Sequence, residues 1–289
     1  PSKVLQQYIG VKQDDHYPGR DPLQEMIEEA HKEGIKVHAW FEFGFSYGYK
    51  DTSSLWFKRY PAWLGRNSKG ELLQKNGFYW WNALHPGPQR LMRELVLEVV
   101  KQYEIDGVQG DDRLPAMPAE GGFDAYTASL YKSDKKLNLP FDNPKDEAFL
   151  QWKADKLSLF CKSLYDAVKH QRPACIVSWA PSIYPWSKEQ YLQDWPAWLK
   201  GGYADFVIPQ LYRYKLADYE KILKELSNQV PPNMLKKVYP GILTSLGDGY
   251  QASPDMMKQM ISLNRKYGFE GEVFFYYETL NKIPSFKID

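Results

Sequence analysis

The stretch Gly107-Val-Gln-Gly-Asp-Asp112 alternates apolar and polar residues before it ends in two acids. A period of two is a strand's, and it sets Gln109 and Asp111 on one side, with Asp112 just past the strand end. This stretch is one of six short apolar runs, the others being Lys36–Phe45, Cys175–Ala180, Phe206–Tyr212, Lys237–Leu243 and Glu272–Glu278. Amphipathic segments lie between them. Asp21-Pro22 opens one as cap and first-turn proline, and Gly34 stops it. A second runs from about Pro88 to Tyr103 and a third from Asp146 to His170, before Pro173. Strand followed by helix, repeated, implies parallel strands covered by helices. The later strands recur about every 30 residues, the spacing of a (β/α)₈ TIM barrel. A doubly wound sheet competes, but no strand is followed by a glycine-rich phosphate turn.

Six strands are two short of closure, so the first two are expected upstream of this chain. Residues 1–289 read as a single barrel domain. Two wide gaps, 46–85 and 113–144, follow strand C-terminal ends and read as long loop insertions on the face where barrel active sites are built.

Composition narrows the function. The 37 Lys+Arg and 36 Asp+Glu give a net charge of +1, which argues against an extended nucleic-acid surface. No apolar run reaches the roughly 18 residues of a membrane-spanning helix. Aromatic residues make up 16% of the chain, including 10 Trp and 21 Tyr, more ring surface than a core of this size needs. Cys161 and Cys175 have no Cys or His at ligand spacing and read as buried thiols. The chain opens on Pro1 rather than Met, which reads as processing or truncation.

Carboxylates at strand ends are the candidate chemistry. Glu42 ends the alternation His38, Trp40, Glu42, and Glu278 ends Phe274, Tyr276, Glu278. With Asp111 and Asp112, three strands each deliver an acid to one mouth. Glycosidic bond cleavage needs two carboxyls, one to protonate the leaving oxygen and one to attack or to activate water. Plainer roles exist: Asp112 as a helix cap or ion pair, and Glu42 or Glu278 as partners of Arg113 or Arg213. Trp40, Trp179, Tyr212 and Tyr276 fall near strand ends, where rings stack on sugar faces; Asn82 lies in a following loop, and Asn, like Gln, hydrogen-bonds sugar hydroxyls. His38 faces the same way as Glu42. No Gly-x-Ser-x-Gly elbow and no His-Glu-x-x-His spacing is present.

The run Asp21-Pro-Leu, continuing to Glu29-Ala-His-Lys-Glu-Gly-Ile-Lys-Val-His-Ala-Trp-Phe-Glu42, resembles the bacterial glycosyl-hydrolase-like family 10. So do Trp81-Asn-Ala-Leu-His-Pro86, Tyr103-Glu-Ile-Asp-Gly-Val-Gln-Gly-Asp-Asp112, Pro209-Gln-Leu-Tyr212 and Gly271-Glu-Val-Phe-Phe-Tyr-Tyr-Glu278. The resemblance spans nearly the whole chain and implies a TIM barrel, hydrolysis of a polysaccharide, and an exported or envelope-associated protein. Where this chain has Gly110 the family usually has a bulkier residue, and where it has Arg113 the family often has His or Tyr.

The expected function is therefore hydrolysis of a bacterial cell-wall or extracellular polysaccharide. Asp111 is expected as nucleophile or base, Glu278 or Glu42 as proton donor, and Asp112 as a positioning group. Trp40, His38, Asn82, Gln109, Arg113, Trp179, Gln210, Tyr212 and Tyr276 are expected to bind the sugar. No organic cofactor or metal is implied. Two rivals stand: a glycan-binding protein without turnover, and a metal-dependent deacetylase or hydrolase using Asp111, Asp112 and a His.

Overall fold

A computed structural model describes residues 1–247 and 249–280; the last nine residues of the expected 1–289 domain lie outside the described residues. Nine strands are found among them: β1 His38–Phe41, β2 Ser46–Tyr49, β3 Gln74–Lys75, β4 Phe78–Trp80, β5 Gly107–Gly110, β6 Ile176–Trp179, β7 Phe206–Val207, β8 Gly241–Leu243 and β9 Val273–Phe275.

Strands β1, β5, β6 and β7 form a parallel sheet in that order, and β8 pairs β9, also in parallel. Parallel bridges Val207 to Val238 and Gln210 to Gly241 carry the first sheet onto the second. The junction thins to single bridges because Pro209 and Pro240 have no N–H to give to a ladder. The Pro209 carbonyl instead accepts from Gly241 N at 2.9 Å. The result is six successive parallel strands of a (β/α)₈-type barrel, with no described pairing from β9 back to β1.

Helices cover the outside. Pro22–Lys32 is capped by Asp21, which accepts from Gln24 N. Pro86–Gln102 and the long Glu147–Gln171 pack against each other, and Asp146 caps the latter through Phe149 N. Their buried stripes, Leu91, Val96 and Val100 on one and Leu157, Cys161, Leu164 and Val168 on the other, meet Val108 and Val177 of the sheet in one continuous core. Burial of such side chains contributes roughly 1.5–3 kcal/mol each. Both cysteines are buried.

Neither insertion is a bare loop. Residues 46–85 hold an antiparallel sheet ordered β2-β4-β3. Its tight turn is Asn76-Gly77, with φ of 53° and 82°. That is the mirror-image turn whose twist matches a hairpin, and Asn-Gly is its preferred pair. The second insertion carries the helix Ala125–Lys135. Lys153, buried on the long helix, reaches back and donates to the carbonyls of Ala119 and Gly121 while lying over the Phe149 ring. The insertion is thereby pinned to the barrel wall.

Candidate active site

The register places the acids. Phe41 pairs with Gly110 and Gly110 with Trp179, so Glu42, Asp111 and Ala180 leave the sheet at one level, its C-terminal end. Position 110 has no room for a side chain: a Cβ there would fall 2.2 Å from the Leu114 carbonyl oxygen and 2.6 Å from the Trp179 ring. The chain folds back tightly enough after β5 to point Asp111, Asp112 and Arg113 around one small volume. Gly44, at φ +51°, lets the segment after β1 press against the Arg113 backbone, where a Cβ would meet the carbonyl at 2.1 Å. Phe45 N donates to that carbonyl at 3.0 Å. This close approach brings Glu42 to Arg113.

Asp111 is 6% exposed. Its Oδ1 accepts from Gln210 Nε2 at 3.1 Å, and Gln193 Nε2 donates to its backbone carbonyl at 3.2 Å. Burial, and then the neighbouring Asp112 charge, push its carboxyl up to about 7, against the weaker pull of Arg113. Burial also raises Asp112, which is opposed by Arg113 and by a hydrogen bond from the Asp111 side chain. Two neighbouring carboxyls in a dry site resist ionising together, so the pair holds a proton well above the usual carboxylate range.

Arg113 organises the acids. Its Nη2 lies 2.9 Å from Glu42 Oε1 and 3.6 Å from Asp111 Oδ2, and its Nη1 lies 3.2 Å from Asp112 Oδ1. Its Nε donates to the Glu42 carbonyl, and its guanidinium lies 4.6 Å from the centre of the Phe78 ring. With a side chain only 12% exposed, Arg113 spends its donors on protein groups, which leaves little of it for the sugar contact expected from the sequence. Glu42 is likewise tied to Arg113 twice, which suits it poorly to the expected part of proton donor.

An aromatic wall stands beside the acids. Phe275 is its hub: Tyr212 stacks on it at 5.4 Å, Tyr276 lies at 5.1 Å and Trp40 meets it edge-on at 6.5 Å. Trp40 and Tyr276 are exposed, whereas the Tyr212 phenol is pushed far above its ordinary range by burial and by Asp111 and Asp112. Glu278 sits exposed on the short helix Tyr277–Leu280, directly after β9. Gln109, half-buried, stands between Trp40 and Ser178 in the register.

Three other expected contacts have different work. Trp179 is 2% exposed; it packs on Trp198 and donates its indole N–H to the Tyr203 carbonyl at 2.9 Å, on the helix side of the sheet. Alternation explains this, because Ser178, not Trp179, shares the register line of Gln109. Asn82 is 1% exposed and spends its amide on Asp124 and Thr127, so it rivets one insertion to the other. His38 pairs with Gly107, three residues or roughly 10 Å below the mouth, against Phe206. Burial lowers its pKa. The His–Asp–Asp set required by the metal-dependent rival is therefore not assembled, and among the described residues no group of three or more His, Cys, Asp or Glu could hold a metal ion. Nor, among them, is any helix long and apolar enough to cross a membrane.

The sequence reading did not single out Phe275, Gln193 or Phe43, which with Phe78 flanks Arg113. Phe275 alternates away from Tyr276 along β9, and the alternation alone assigned it to the wrong side.

Comparison with known proteins bears on the fold and the family. The chain is 24% identical to glycosyl hydrolase YngK of Bacillus subtilis (strain 168), over 92% of its own length and 55% of the relative's. It is also 24% identical to glycosyl hydrolase DigH of Escherichia coli (strain K12), over 92% of this chain and 65% of that one. It thus spans between half and two thirds of these relatives. Among solved structures, the PgaB (BpsB) glycoside hydrolase domain from Bordetella bronchiseptica superposes with a TM-score of 0.69 at 15% identity, covering 91% of this chain and 76% of that one. Alpha-L-fucosidase isoenzyme 2 from Paenibacillus thiaminolyticus gives 0.61 at 17% identity, over 89% and 36%. These likenesses show the barrel fold. Residues 1–259 match the family described as Glycosyl hydrolase-like 10, and the chain belongs to it.

Proposed function

We propose that the chain is a glycoside hydrolase acting on a bacterial cell-wall or extracellular polysaccharide, in an exported or envelope-associated protein. One observation carries this reading: a buried carboxyl at the C-terminal end of a barrel strand, held by Gln210 next to the Tyr212 end of an aromatic wall, where burial raises its pKa. A carboxyl that keeps its proton near neutral pH is fitted to protonate a leaving glycosidic oxygen. The role proposed for Asp111 is therefore proton donor rather than the nucleophile or base expected from the sequence.

In the proposed reaction the Asp111 proton passes to the glycosidic oxygen as the bond to the anomeric carbon breaks. Glu278, on the short helix after β9, is the proposed second carboxylate, which attacks the anomeric carbon or takes the proton of the water that does. Trp40 and Tyr276 offer ring faces to the sugar, and the Phe275–Tyr212 stack backs them.

The burial of Asp111 favours the rival reading of binding without turnover, since its carboxyl offers little surface to a ligand. The two readings separate in product analysis on purified peptidoglycan and on neutral polysaccharides. Turnover by the parent chain that falls by a factor of at least 10³ in Asp111→Asn, with polymer binding retained, supports hydrolysis. Equal turnover by the two refutes the assignment of Asp111, and binding without products from either establishes the rival.

A further inference from the structure

The Asp111–Asp112 pair has one proton to place, and something must decide which carboxyl receives it. We propose that Arg113 is a positioning residue: its guanidinium, held by Glu42 and by the rings of Phe43 and Phe78, favours an ionised Asp112 and so leaves the shared proton on Asp111. This deepens the proposed hydrolase reading, in which Asp111 is the donor.

The geometry is asymmetric. Arg113 Nη1 stands 3.2 Å from Asp112 Oδ1, whereas Nη2 stands 3.6 Å from Asp111 Oδ2 and 2.9 Å from Glu42 Oε1. At an effective dielectric of about 20, the difference between those two aspartate distances alone favours ionising Asp112 roughly threefold. Hydrogen bonding adds to it: Asp112 Oδ1 is buried without a well-directed hydrogen bond, so the guanidinium is its nearest compensation. A protonated Asp111 donates to Asp112, and the Gln210 amide fills its other oxygen. The other titratable groups facing the pair are Glu42, Tyr191 and Tyr212. Both phenols are pushed up by burial and stay neutral, at about 12 for Tyr191, so among these groups only Arg113 supplies a positive charge.

The guanidinium cannot drift to the other carboxyl, because it is clamped. Glu42 takes two of its N–H groups, one through the side chain and one through the main chain. The Phe78 and Phe43 rings lie 4.6 and 5.9 Å away. A lysine, as a point charge on a flexible stem, could restore the charge but not the fork.

The test reads protonation directly and needs no substrate, so its outcome is independent of whether the chain hydrolyses a glycan. Side-chain carboxyl carbons of ¹³C-labelled aspartate are titrated by NMR in the parent, Arg113→Ala, Arg113→Lys and Glu42→Gln chains, with Asp111→Asn and Asp112→Asn used for assignment. In the parent, Asp111 is expected to take up the proton in the neutral range while Asp112 stays ionised to lower pH. Arg113→Ala should raise the acid midpoint of Asp112 by at least one pH unit, a tenfold change, and spread the proton over both carboxyls. Arg113→Lys should recover part of that change, and Glu42→Gln, which unclamps the fork, should give a smaller change in the same direction. If Arg113→Ala does not fold, the lysine and glutamine chains still decide. An Asp112 midpoint that moves by less than about 0.3 pH units in every folded variant, or a parent in which Asp112 holds the proton, overturns the proposal.

Discussion

Replacing Asp111 by Asn should stabilise the protein at neutral pH, and the gain should vanish in acid. In the folded chain burial and the Asp112 charge push this carboxyl from its ordinary 3.8 to about 7. The unfolded chain releases the proton near 3.8, so between the two values the native state binds more protons and stability falls as pH rises. Each tenfold displacement of the acid constant is worth about 1.4 kcal/mol, so about 4 kcal/mol is lost from stability by pH 7. Part of that belongs to Asp112, which remains in the variant. Asparagine keeps an oxygen for the Gln210 amide and has no proton to lose, so Asp111→Asn should recover about 1–3 kcal/mol at pH 7. Guanidinium unfolding of parent and variant at pH 4, 5.5, 7 and 8 measures this. The difference should be near zero at pH 4, grow to its full value by pH 7 and level off above. A variant less stable than its parent at pH 7, or a difference that is flat from pH 4 to 8, would refute the claim that the site carries a desolvated, proton-holding carboxyl.

Asn82→Ala should cost about 3 kcal/mol, because it takes a buried donor from Asp124 and Thr127 and leaves the Leu84 N–H without its acceptor; thermal denaturation checks this, and a loss under 1 kcal/mol would return Asn82 to the ligand side. Trp179→Phe should lower stability by about 1–3 kcal/mol while leaving glycan affinity within twofold, as measured by affinity electrophoresis. Gly110→Ala should cost more than about 4 kcal/mol or prevent folding, since the neighbour in the way is main chain; a soluble variant of parental melting temperature would contradict the tight return after β5. Lys153 has its pKa lowered by burial to about 7, so the unfolded chain binds a proton that the folded chain has released between pH 7 and about 10.5, and stability should rise with pH there. Chemical unfolding at pH 7.5 and 9.5 should show Lys153→Met flattening that rise by roughly 1.4 kcal/mol per pH unit.

The barrel was legible because its signals are local. The six barrel strands showed as short apolar runs, and three of the covering helices showed by their period. Asp21 and Asp146, both read as helix starts, accept the hydrogen bonds that caps accept. The insertions were misread for a related reason. Asn76-Gly77 is a strong hairpin signal, but it is flanked by strands of two and three residues, too short to show a period. Aromatic content has more than one use. Much of the surplus ring surface lies inside the insertions, in the nest of Tyr47, Trp56, Tyr60, Trp63 and Trp81, where it packs ring on ring.

What the sequence could not yield is which of two adjacent acids is which. Asp111 and Asp112 differ by one step along the chain, and alternation says only that they leave the strand on opposite sides. Their chemistry is set by contacts distant in sequence: Gln210 from 99 positions away on Asp111, and Glu42 from 71 positions away on Arg113. A run Asp-Asp-Arg reads as three solvated charges or a surface ion pair, and that reading holds wherever water reaches all three. Here Gly44 and Gly110 allow two return segments to close over them, and closure changes the sign of the argument. Desolvation outweighs the guanidinium at Asp111, so an acid 3.6 Å from an arginine holds its proton to higher pH instead of losing it. The glycines, silent as chemistry, are therefore what turns a charge cluster into a candidate proton donor.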